Sequence, residues 1–380
     1  MDQPPTKSAV PAYLKFALIL FGLSVSLTGF AAWVWLRSGG QEAFRRGYAP
    51  LTAEWQSEGA WTADSYVGKT LRCDVNVVDT NELGRPYTYK AAPVGRNGVC
   101  FRDHPTRMPV YAVAVGDSFT FGHKVDFEKV WTERLEKAVG ADVVNLGLSG
   151  GAPTQYLRNF EVHGALLKPR VVLMTTFVND WLDEPCFQAW WMLRQALGAQ
   201  VDFPRSNAIY DAVRKNGYRL PDYWQQPDLG GSVDVEIDGE QYQFDASAYA
   251  AQDTRSPTIE MGRRAEEQAI VALKEKTAAT GATLVVVVIP AKEYVYHDRV
   301  SAAIPYARNM RPDVFCEAIA DWCRKNDIAC LNMLPVLTAR VAAGDKPYFP
   351  RDGHLREEGN ALLAEEIEKF LRKLGLFTLK

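Results

Sequence analysis

The stretch Ala112–Gly122 reads AVAVGDSFTFG, and the fold prediction starts from the change of pattern inside it. Small and β-branched residues run up to Val115, as in a strand that is buried on both faces. Gly116, Asp117 and Ser118 come directly after it, and residues of these types favour turns and helix starts. Ser118 could therefore be a nucleophile, a helix N-cap or an ordinary turn residue, and the rest of the chain has to decide.

Predicted strands and helices alternate on both sides of this serine. The predicted strands are Val110–Val115, Asp142–Leu146, Val171–Phe177, Thr283–Ile289 and Ile328–Asn332. The predicted helices are Phe127–Val139, Gln155–Leu167, Ile259–Thr280, Pro312–Lys325 and Glu357–Leu374. Such alternation predicts an α/β fold with a mostly parallel sheet that helices cover on both faces.

The regular pattern stops over residues 181–256, which we interpret as an insertion. It contains the aromatic-rich stretch Phe187–Leu197 and a predicted β-hairpin over Val233–Phe244, where an Asp-Gly pair marks the turn. Its aromatic rings could stack on sugars, although a small aromatic subcore is the favoured alternative. The residues concerned are Trp190, Trp191, Tyr223 and Trp224.

The beginning of the chain is predicted to be a membrane anchor. Phe16–Leu36 runs for 21 residues without a charged side chain, and a helix of that length spans about 30 Å of hydrocarbon. The apolar core of a cleaved signal peptide is shorter, at about 7–15 residues. We therefore predict a cytoplasmic tail and transmembrane helix over 1–40, an irregular or β-rich juxtamembrane lead-in over 41–108, and a catalytic domain over 109–380.

The side of the membrane is predicted from the position of the anchor in the chain. Lys7 and Lys15 precede the span, while Arg37, Arg45 and Arg46 come after it, so the basic residues slightly favour a cytoplasmic domain. A lone N-terminal anchor serves most simply to export and tether the domain behind it. We therefore place the catalytic domain outside the cytoplasm, in the periplasm or at the cell surface.

Composition narrows the function classes and the compartment. A formal net charge of −3 gives no reason to expect a nucleic-acid partner, and neither a P-loop nor an H-E-x-x-H pair occurs. Six cysteines are compatible with an oxidising compartment. Cys73 and Cys100 flank a Pro/Gly-rich segment and could form a disulfide. The seven-residue spacing of Cys316, Cys323 and Cys330 is more typical of core packing than of metal binding.

Polar groups stand at the ends of the first three strands and before the last helix. Gly116–Ser118 follows the first strand, Asn145–Gly151 the second and Asn179-Asp180 the third, while Pro350–Leu355 precedes the final helix. The carboxyl ends of parallel strands lie at one edge of a sheet, where reactive groups collect. We therefore expect these four blocks to meet there.

Together the four blocks contain the groups that acyl transfer needs. Ser118 supplies a hydroxyl that attacks only when a base takes its proton. His354 is the candidate base, and Asp352 is the carboxylate that would hold its tautomer and stabilise the imidazolium. The oxyanion formed on attack needs donors, and the backbone N–H groups of Ser118 and Gly150 with the Asn179 side-chain amide could supply three.

Each of these residues has a structural alternative when it is considered alone. Ser118 is more often an N-cap or turn residue, and Asn179 and His354 are more often turn, capping or surface residues. The glycines around Gly150 could simply form a tight strand-to-helix turn. The order of all four blocks along one series of strands and helices favours the catalytic interpretation. The remaining histidines are interpreted as structural, namely His104, His123, His163 and His297.

With these blocks the chain resembles the SGNH or GDSL hydrolases, whose four blocks carry Ser, Gly, Asn and His in that order. The matching residues are Ser118 in GDSFTFG, Gly150 in NLGLSGG, Asn179 in FVND, and His354 with Asp352 in DGHL. The resemblance covers roughly residues 110–373 apart from the insertion. It implies a three-layer α/β/α fold with five parallel strands, hydrolysis of carboxylic esters, and no metal or other cofactor.

The chain departs from the family pattern at three positions. Phe119 stands in place of the usual leucine of the first block. Phe177 occupies the usual glycine position of the third block, and a ring there predicts a site narrowed toward small acyl groups such as acetyl. Arg351 stands where the fourth block usually has its aspartate, so Asp352, one residue closer to His354, is expected to take that role.

The sequence therefore predicts a membrane-anchored serine esterase that forms an acyl-enzyme on Ser118. Its predicted substrates are O-acyl esters on a carbohydrate, with O-acetyl as the favoured acyl group. One alternative is an O-acyltransferase for an exported polysaccharide that uses the same residues, and Val285–Tyr296 also resembles stretches in relatives linked to such O-acetylation. Another is a catalytically silent subunit of a membrane assembly. The expected partners are an acylated small molecule or glycan and the membrane.

Overall fold

The computed structural model describes residues 60–94, 98–197, 231–301, 303, 306–309 and 311–377. All of them belong to the second of two compact units, Glu54–Lys380. Within these ranges no helix is both long enough and apolar enough to cross a bilayer. The predicted anchor at Phe16–Leu36 lies outside the described residues, so it stays a prediction.

The lead-in forms two small antiparallel sheets before the central sheet begins. Its strands are β1 (Trp61–Asp64), β2 (Gly68–Leu71), β3 (Asn76–Thr80), β4 (Pro86–Lys90), β5 (Ala92–Val94) and β6 (Val99–Phe101). Strands β1-β2-β6-β5 form one sheet, and β3 and β4 pair as a hairpin. A disulfide joins Cys73 to Cys100, and by linking distant parts of the lead-in it restricts the unfolded chain.

The central sheet has five strands, and every neighbouring pair in it is parallel. The remaining strands are β7 (Val110–Val115), β8 (Asp142–Asn145), β9 (Val171–Thr176), β10 (Ser232–Ile237), β11 (Glu240–Asp245), β12 (Thr283–Val288) and β13 (Ala329–Asn332). Their order in the sheet is β13-β12-β9-β7-β8, while β10 and β11 pair as the predicted hairpin. The predicted α/β fold with five parallel strands is confirmed. All residues of β7 and β9 are buried, as their continuous apolar runs predict.

Helices connect these strands and follow the sheet. They are α1 (Ser118–Phe121), α2 (Trp131–Val139), α3 (Pro153–Asn159), α4 (Asp180–Leu197), α5 (Ser247–Ala250), α6 (Pro257–Ala279), α7 (Lys292–Val295), α8 (His297–Val300), α9 (Val314–Lys325), α10 (Leu334–Ala342) and α11 (Glu357–Lys373). Helix α2 packs against α11, whereas α3, α4 and α6 pack against one another.

The strand order reverses at β7, and this reversal locates the site. The chain runs from β7 to its neighbour β8 on one side and then returns to β9 on the other. Right-handed crossovers therefore place α2 on one face of the sheet and α3 and α6 on the other. A crevice opens at such a switch point, outside the carboxyl ends of the strands. Ser118 comes directly after β7 and so lies at that crevice.

Several helices differ from the prediction. The helix predicted from Phe127 begins at Trp131, after a short 3₁₀ turn, and α10 was not predicted. The irregular region predicted from Trp181 begins instead with the 18-residue helix α4. Its first turns are buried nearly all round, so they have no polar face to give an amphipathic period. Pro185 inside the helix hides the pattern further.

Helix α4 approaches α6 so closely that only glycine fits at one contact. A Cβ on Gly262 would lie 1.9 Å from the backbone oxygen of Trp181. This close approach fixes the first turn of α4 against the core. Because Asn179 directly precedes α4, the contact also fixes one of the predicted site residues.

Candidate active site

Ser118 is the first residue of α1, and the helix is capped by its neighbour. The Asp117 carboxylate accepts the backbone N–H of Phe119 at 2.9 Å, so Asp117 takes the N-cap role that the sequence also allowed for Ser118. Gly116 makes the sharp turn possible, because a Cβ there would lie 2.1 Å from Thr175 Oγ1. The Ser118 hydroxyl is therefore not used for capping.

A chain of hydrogen bonds connects Ser118, His354 and Asp352. The Ser118 Oγ lies 2.7 Å from His354 Nε2, and His354 Nδ1 lies 2.5 Å from Asp352 Oδ1. The His354 backbone N–H also donates to Asp352 Oδ1, at 2.9 Å. With the proton on Nδ1, the ring donates to Asp352 and its Nε2 accepts from the serine hydroxyl. The one-residue displacement of Asp352 from the family position does not prevent this contact.

Asp352 is stabilised as a carboxylate although it is largely buried. Burial by itself raises the pKa of Asp352, but the hydrogen bond from His354, the charge of His354 and the bond from Lys124 outweigh it and hold the pKa well below its usual range. Lys124 Nζ lies 2.6 Å from Asp352 Oδ2. The carboxylate therefore carries its negative charge at neutral pH, as a group that orients an imidazole must.

A buried lysine supports the loop that carries Asp352 and His354. Lys292 is 1% exposed, and its ammonium donates to the carbonyls of Phe349, Pro350 and Asp352 at 3.2, 2.9 and 3.1 Å. These three bonds use all the donors of an ammonium. Burial lowers the pKa of Lys292. Lys292 therefore fixes the backbone of this loop through three of its carbonyl groups.

Aromatic rings surround the imidazole of His354. Its ring centroid lies 5.0 Å from that of Phe119 and 4.6 Å from that of His123. The ring centroids of Phe177 and Phe119 lie 4.5 Å apart. Phe177, at the position where the family usually has glycine, therefore packs against the residue that follows Ser118. Burial lowers the pKa of His123 to about 3, which keeps this second imidazole neutral beside the first.

The three predicted oxyanion donors lie on separate loops at the same edge of the sheet. Among the described residues, neither the Ser118 N–H nor the Gly150 N–H donates to a protein acceptor. Gly150 has a φ of +63°, a conformation that glycine adopts without strain. The Asn179 Nδ2 donates to Asp183 Oδ2 at 2.9 Å, and an amide nitrogen has a second N–H to offer.

Two buried carboxyl groups, those of Asp180 and Glu266, both contact the hydroxyl of Thr176, three residues before Asn179. Thr176 Oγ1 lies 3.0 Å from Asp180 Oδ2 and also contacts Glu266, whose other oxygen accepts the Trp181 indole N–H at 2.6 Å. Burial raises the pKa of Glu266 to about 8 and raises that of Asp180 well above its usual range. Both are therefore favoured in the protonated form near neutral pH, which avoids repulsion under the turn that carries Asn179.

Some side chains near the site are of types that bind metals. Single ligand atoms of His123, Asp352 and His354 lie within 4.8 Å of one another. Both Asp352 oxygens and both His354 nitrogens already make the bonds given above, so a cation would compete with them.

A second cluster of charged side chains lies at the opposite edge of the sheet, where Arg107 pairs with Glu136 and Asp142. A cavity of about 750 Å³ opens beside that group, away from Ser118.

Three residues that contact the site were not predicted from the sequence. His123 is predicted to be structural, but it stands only five positions after Ser118 and its ring lies beside that of His354. Lys124 stands six positions after Ser118, and this proximity is the signal that could have identified it. Lys292 lies in Val285–Tyr296, where the sequence pattern predicts a strand but no role for the lysine. Of the insertion's aromatic residues, Trp190 is buried, as the subcore alternative predicts, while Tyr223 and Trp224 lie outside the described residues.

A family model matches the C-terminal third of the chain. Residues 248–379 match the family described as "SGNH hydrolase-like domain, acetyltransferase AlgX". The matched range contains Asp352 and His354, whereas Ser118, Gly150 and Asn179 precede it. The resemblance to the SGNH hydrolases is thereby confirmed. No curated protein matches the chain.

Solved structures with a similar course of the chain include TesA and two carbohydrate esterases. TesA is 15% identical, with 70% of this chain and 99% of TesA covered and a TM-score of 0.38. A carbohydrate esterase family 2 enzyme from Corynascus thermopiles is 13% identical, with 77% and 72% covered and a TM-score of 0.37. The acetyl xylan esterase AlAXEase is 12% identical, with 67% and 97% covered and a TM-score of 0.36. At these scores the similarities do not bear on the activity of this chain.

Replacing Lys292 is expected to destabilise the fold. Lys292→Met keeps the length of the side chain but leaves the carbonyls of Phe349, Pro350 and Asp352 without their ammonium partner. We expect the free energy of unfolding to fall by about 1–3 kcal/mol, measured by urea denaturation. Lys369→Met is the matched control, because Lys369 is exposed and its ion pair with Glu365 on α11 is exposed as well. Equal stability of the two variants would contradict the role given to Lys292.

Proposed function

Because the chain carries an SGNH hydrolase-like domain, we propose that it is a serine esterase that removes small O-acyl groups from a carbohydrate. Acetyl is the favoured acyl group. The observation that carries the proposal is the continuous contact from Ser118 Oγ through the His354 ring to Asp352, at 2.7 and 2.5 Å. A serine bonded to an imidazole that is itself oriented by a carboxylate is the arrangement that activates a hydroxyl.

The first half of the proposed reaction forms an acyl-enzyme. His354 Nε2 takes the proton of the Ser118 hydroxyl as Oγ attacks the ester carbonyl. The negative charge that develops on the carbonyl oxygen is stabilised by the N–H groups of Ser118 and Gly150 and by the Asn179 amide. The C–O bond to the alcohol then breaks, and the alcohol leaves with the proton from His354 Nε2.

The second half releases the acyl group. Water gives a proton to His354 Nε2 and attacks the acyl carbon, so that the carboxylic acid leaves and Ser118 recovers its proton. Asp352 stays ionised throughout and stabilises the imidazolium, because His354 and Lys124 keep its pKa low. A sugar hydroxyl in place of water would make the same residues an acyltransferase.

Two observations support a small acyl group. Phe177 packs on Phe119 beside the His354 ring, and this aromatic wall leaves less room than the glycine that usually stands at position 177. The family description that matches residues 248–379 names an acetyltransferase, which also supports acetyl as the group that is moved.

We further propose that the site faces an oxidising compartment and meets acylated glycans there. The Cys73–Cys100 disulfide supports this, because such bonds persist mainly outside the cytoplasm. The proposed tether is the apolar segment Phe16–Leu36. An esterase held outside the cell by such a segment would meet surface or exported polysaccharide.

Loss of the serine or the histidine is expected to abolish esterase activity. We expect Ser118→Ala and His354→Ala in the full chain to lower kcat toward p-nitrophenyl acetate by about 10³-fold or more. His297→Ala, which removes a histidine distant in sequence from the four blocks, is expected to keep wild-type activity. Equal rates in wild type and both site variants would contradict the serine mechanism, and equal rates at the uncatalysed level would favour the catalytically silent alternative.

Transfer to a sugar is the second candidate function, and the acetyltransferase family description is the observation that favours it. The full chain is incubated with p-nitrophenyl acetate and an unacetylated oligosaccharide, and the oligosaccharide is followed by mass spectrometry. A hydrolase leaves its mass unchanged while free acetate accumulates, which is the result we expect. A gain of acetyl groups that requires Ser118 would instead identify a transferase.

A further inference from the structure

Lys69 of β2 is a buried lysine that reaches from the lead-in to the second block of the site. Lys69 is 5% exposed, and its ammonium donates to the carbonyl oxygen of Ser149 at 2.5 Å. The ammonium also lies 4.9 Å from the centroid of the Trp61 ring on β1. Taking an ammonium out of water is costly unless partners compensate it, so these contacts determine where the side chain can sit.

The bond to Ser149 acts on the peptide group that contains a proposed oxyanion donor. The Ser149 carbonyl and the Gly150 N–H belong to one peptide plane, and in a trans peptide the two point in opposite directions. A cation that holds the carbonyl therefore fixes the direction of the N–H on the other side. It also draws electrons toward the carbonyl oxygen, which makes the N–H a stronger donor.

The same lysine is coupled to a second proposed donor. The Asp183 carboxylate on α4 interacts electrostatically with the Lys69 ammonium, and Asp183 Oδ2 accepts the Asn179 Nδ2–H at 2.9 Å. Lys69 thus stabilises the negative charge that holds the Asn179 amide. Two donors on different loops are connected through one buried cation.

We propose that Lys69 is a positioning residue that sets the oxyanion donors, holding the Gly150 N–H through Ser149 and the Asn179 amide through Asp183. This inference rests on the proposed function, since it concerns the same reaction. It makes the lead-in, which the sequence-based prediction separated from the catalytic domain at residue 108, a necessary part of the active site.

The protonation state of Lys69 is expected to make activity depend on pH. The groups that face its ammonium include the Asp183 carboxylate from α4, the Trp61 ring from β1 and the Ser149 carbonyl from the second block. Burial lowers the pKa of Lys69 to about 8, against the opposing effect of Asp183. The positioning form is the protonated one, so activity falls as the pH rises through about 8.

The test compares Lys69→Met and Lys69→Arg with wild type, using p-nitrophenyl acetate over about pH 6–10. Lys69→Met is expected to lower kcat about tenfold to a hundredfold with little change in KM, because oxyanion contacts form mainly in the transition state. It should also lose the fall in activity near pH 8. Lys69→Arg, which keeps the charge, should recover part of kcat and shift that fall to higher pH. Lys90→Met, at an exposed position of β4, is the matched control.

Each outcome either supports the proposal or overturns it. Rates are expressed per folded enzyme, so a purely structural role would lower the folded fraction and leave kcat and the pH profile unchanged. If Lys69→Met keeps the wild-type kcat and pH profile while Ser118→Ala is inactive, this inference is overturned and the proposed function is left intact. If Lys69→Met does not fold, an unchanged pH profile in Lys69→Arg overturns it. Equal activity of wild type and Ser118→Ala would instead overturn the proposed function.

Discussion

The parallel pairing of β7 with β8 on one side and β9 on the other is the constraint on which the site depends. It brings the ends of three strands to one edge of the sheet, so that the loops carrying Ser118, Gly150 and Asn179 leave the sheet at the same edge although long connections separate them in sequence. Without that pairing, Ser118 would be only the first residue of a short helix. The fourth group, His354, reaches the same edge from the loop before α11.

Buried charges then fix the loops that the sheet brings together. Asp352 is compensated by His354 and Lys124, Lys292 by three carbonyls of the loop before α11, and Lys69 by Ser149 and Asp183. A buried charge that loses its partner is costly, so these contacts hold loop geometry as well as contributing to stability. The segments outside the central sheet take part as well. The lead-in supplies Lys69, and the insertion supplies the Gln243 N–H, which donates to the Pro350 carbonyl at 2.9 Å.

The sequence predicts the sheet well because its inner strands are short apolar runs bounded by turns, as in Val110–Val115. It also names Ser118, His354 and Asp352, which the structure brings into one hydrogen-bonded chain, because the ends of parallel strands share an edge. It predicts α4 poorly, since a helix buried on all sides shows no amphipathic period. It does not reveal the contact of Lys69 with Ser149, because such a long-range contact leaves no local pattern.

The central claim is that the Ser118 hydroxyl is the nucleophile and that His354 activates it. The most direct measurement is peptide mapping by mass spectrometry after the full chain reacts with a fluorophosphonate, which leaves a covalent adduct on an activated serine. We predict one adduct, on the peptide that contains Ser118, with labelling strongly slowed in His354→Ala. Labelling at another serine, or an active esterase with no adduct at Ser118, would contradict this mechanism.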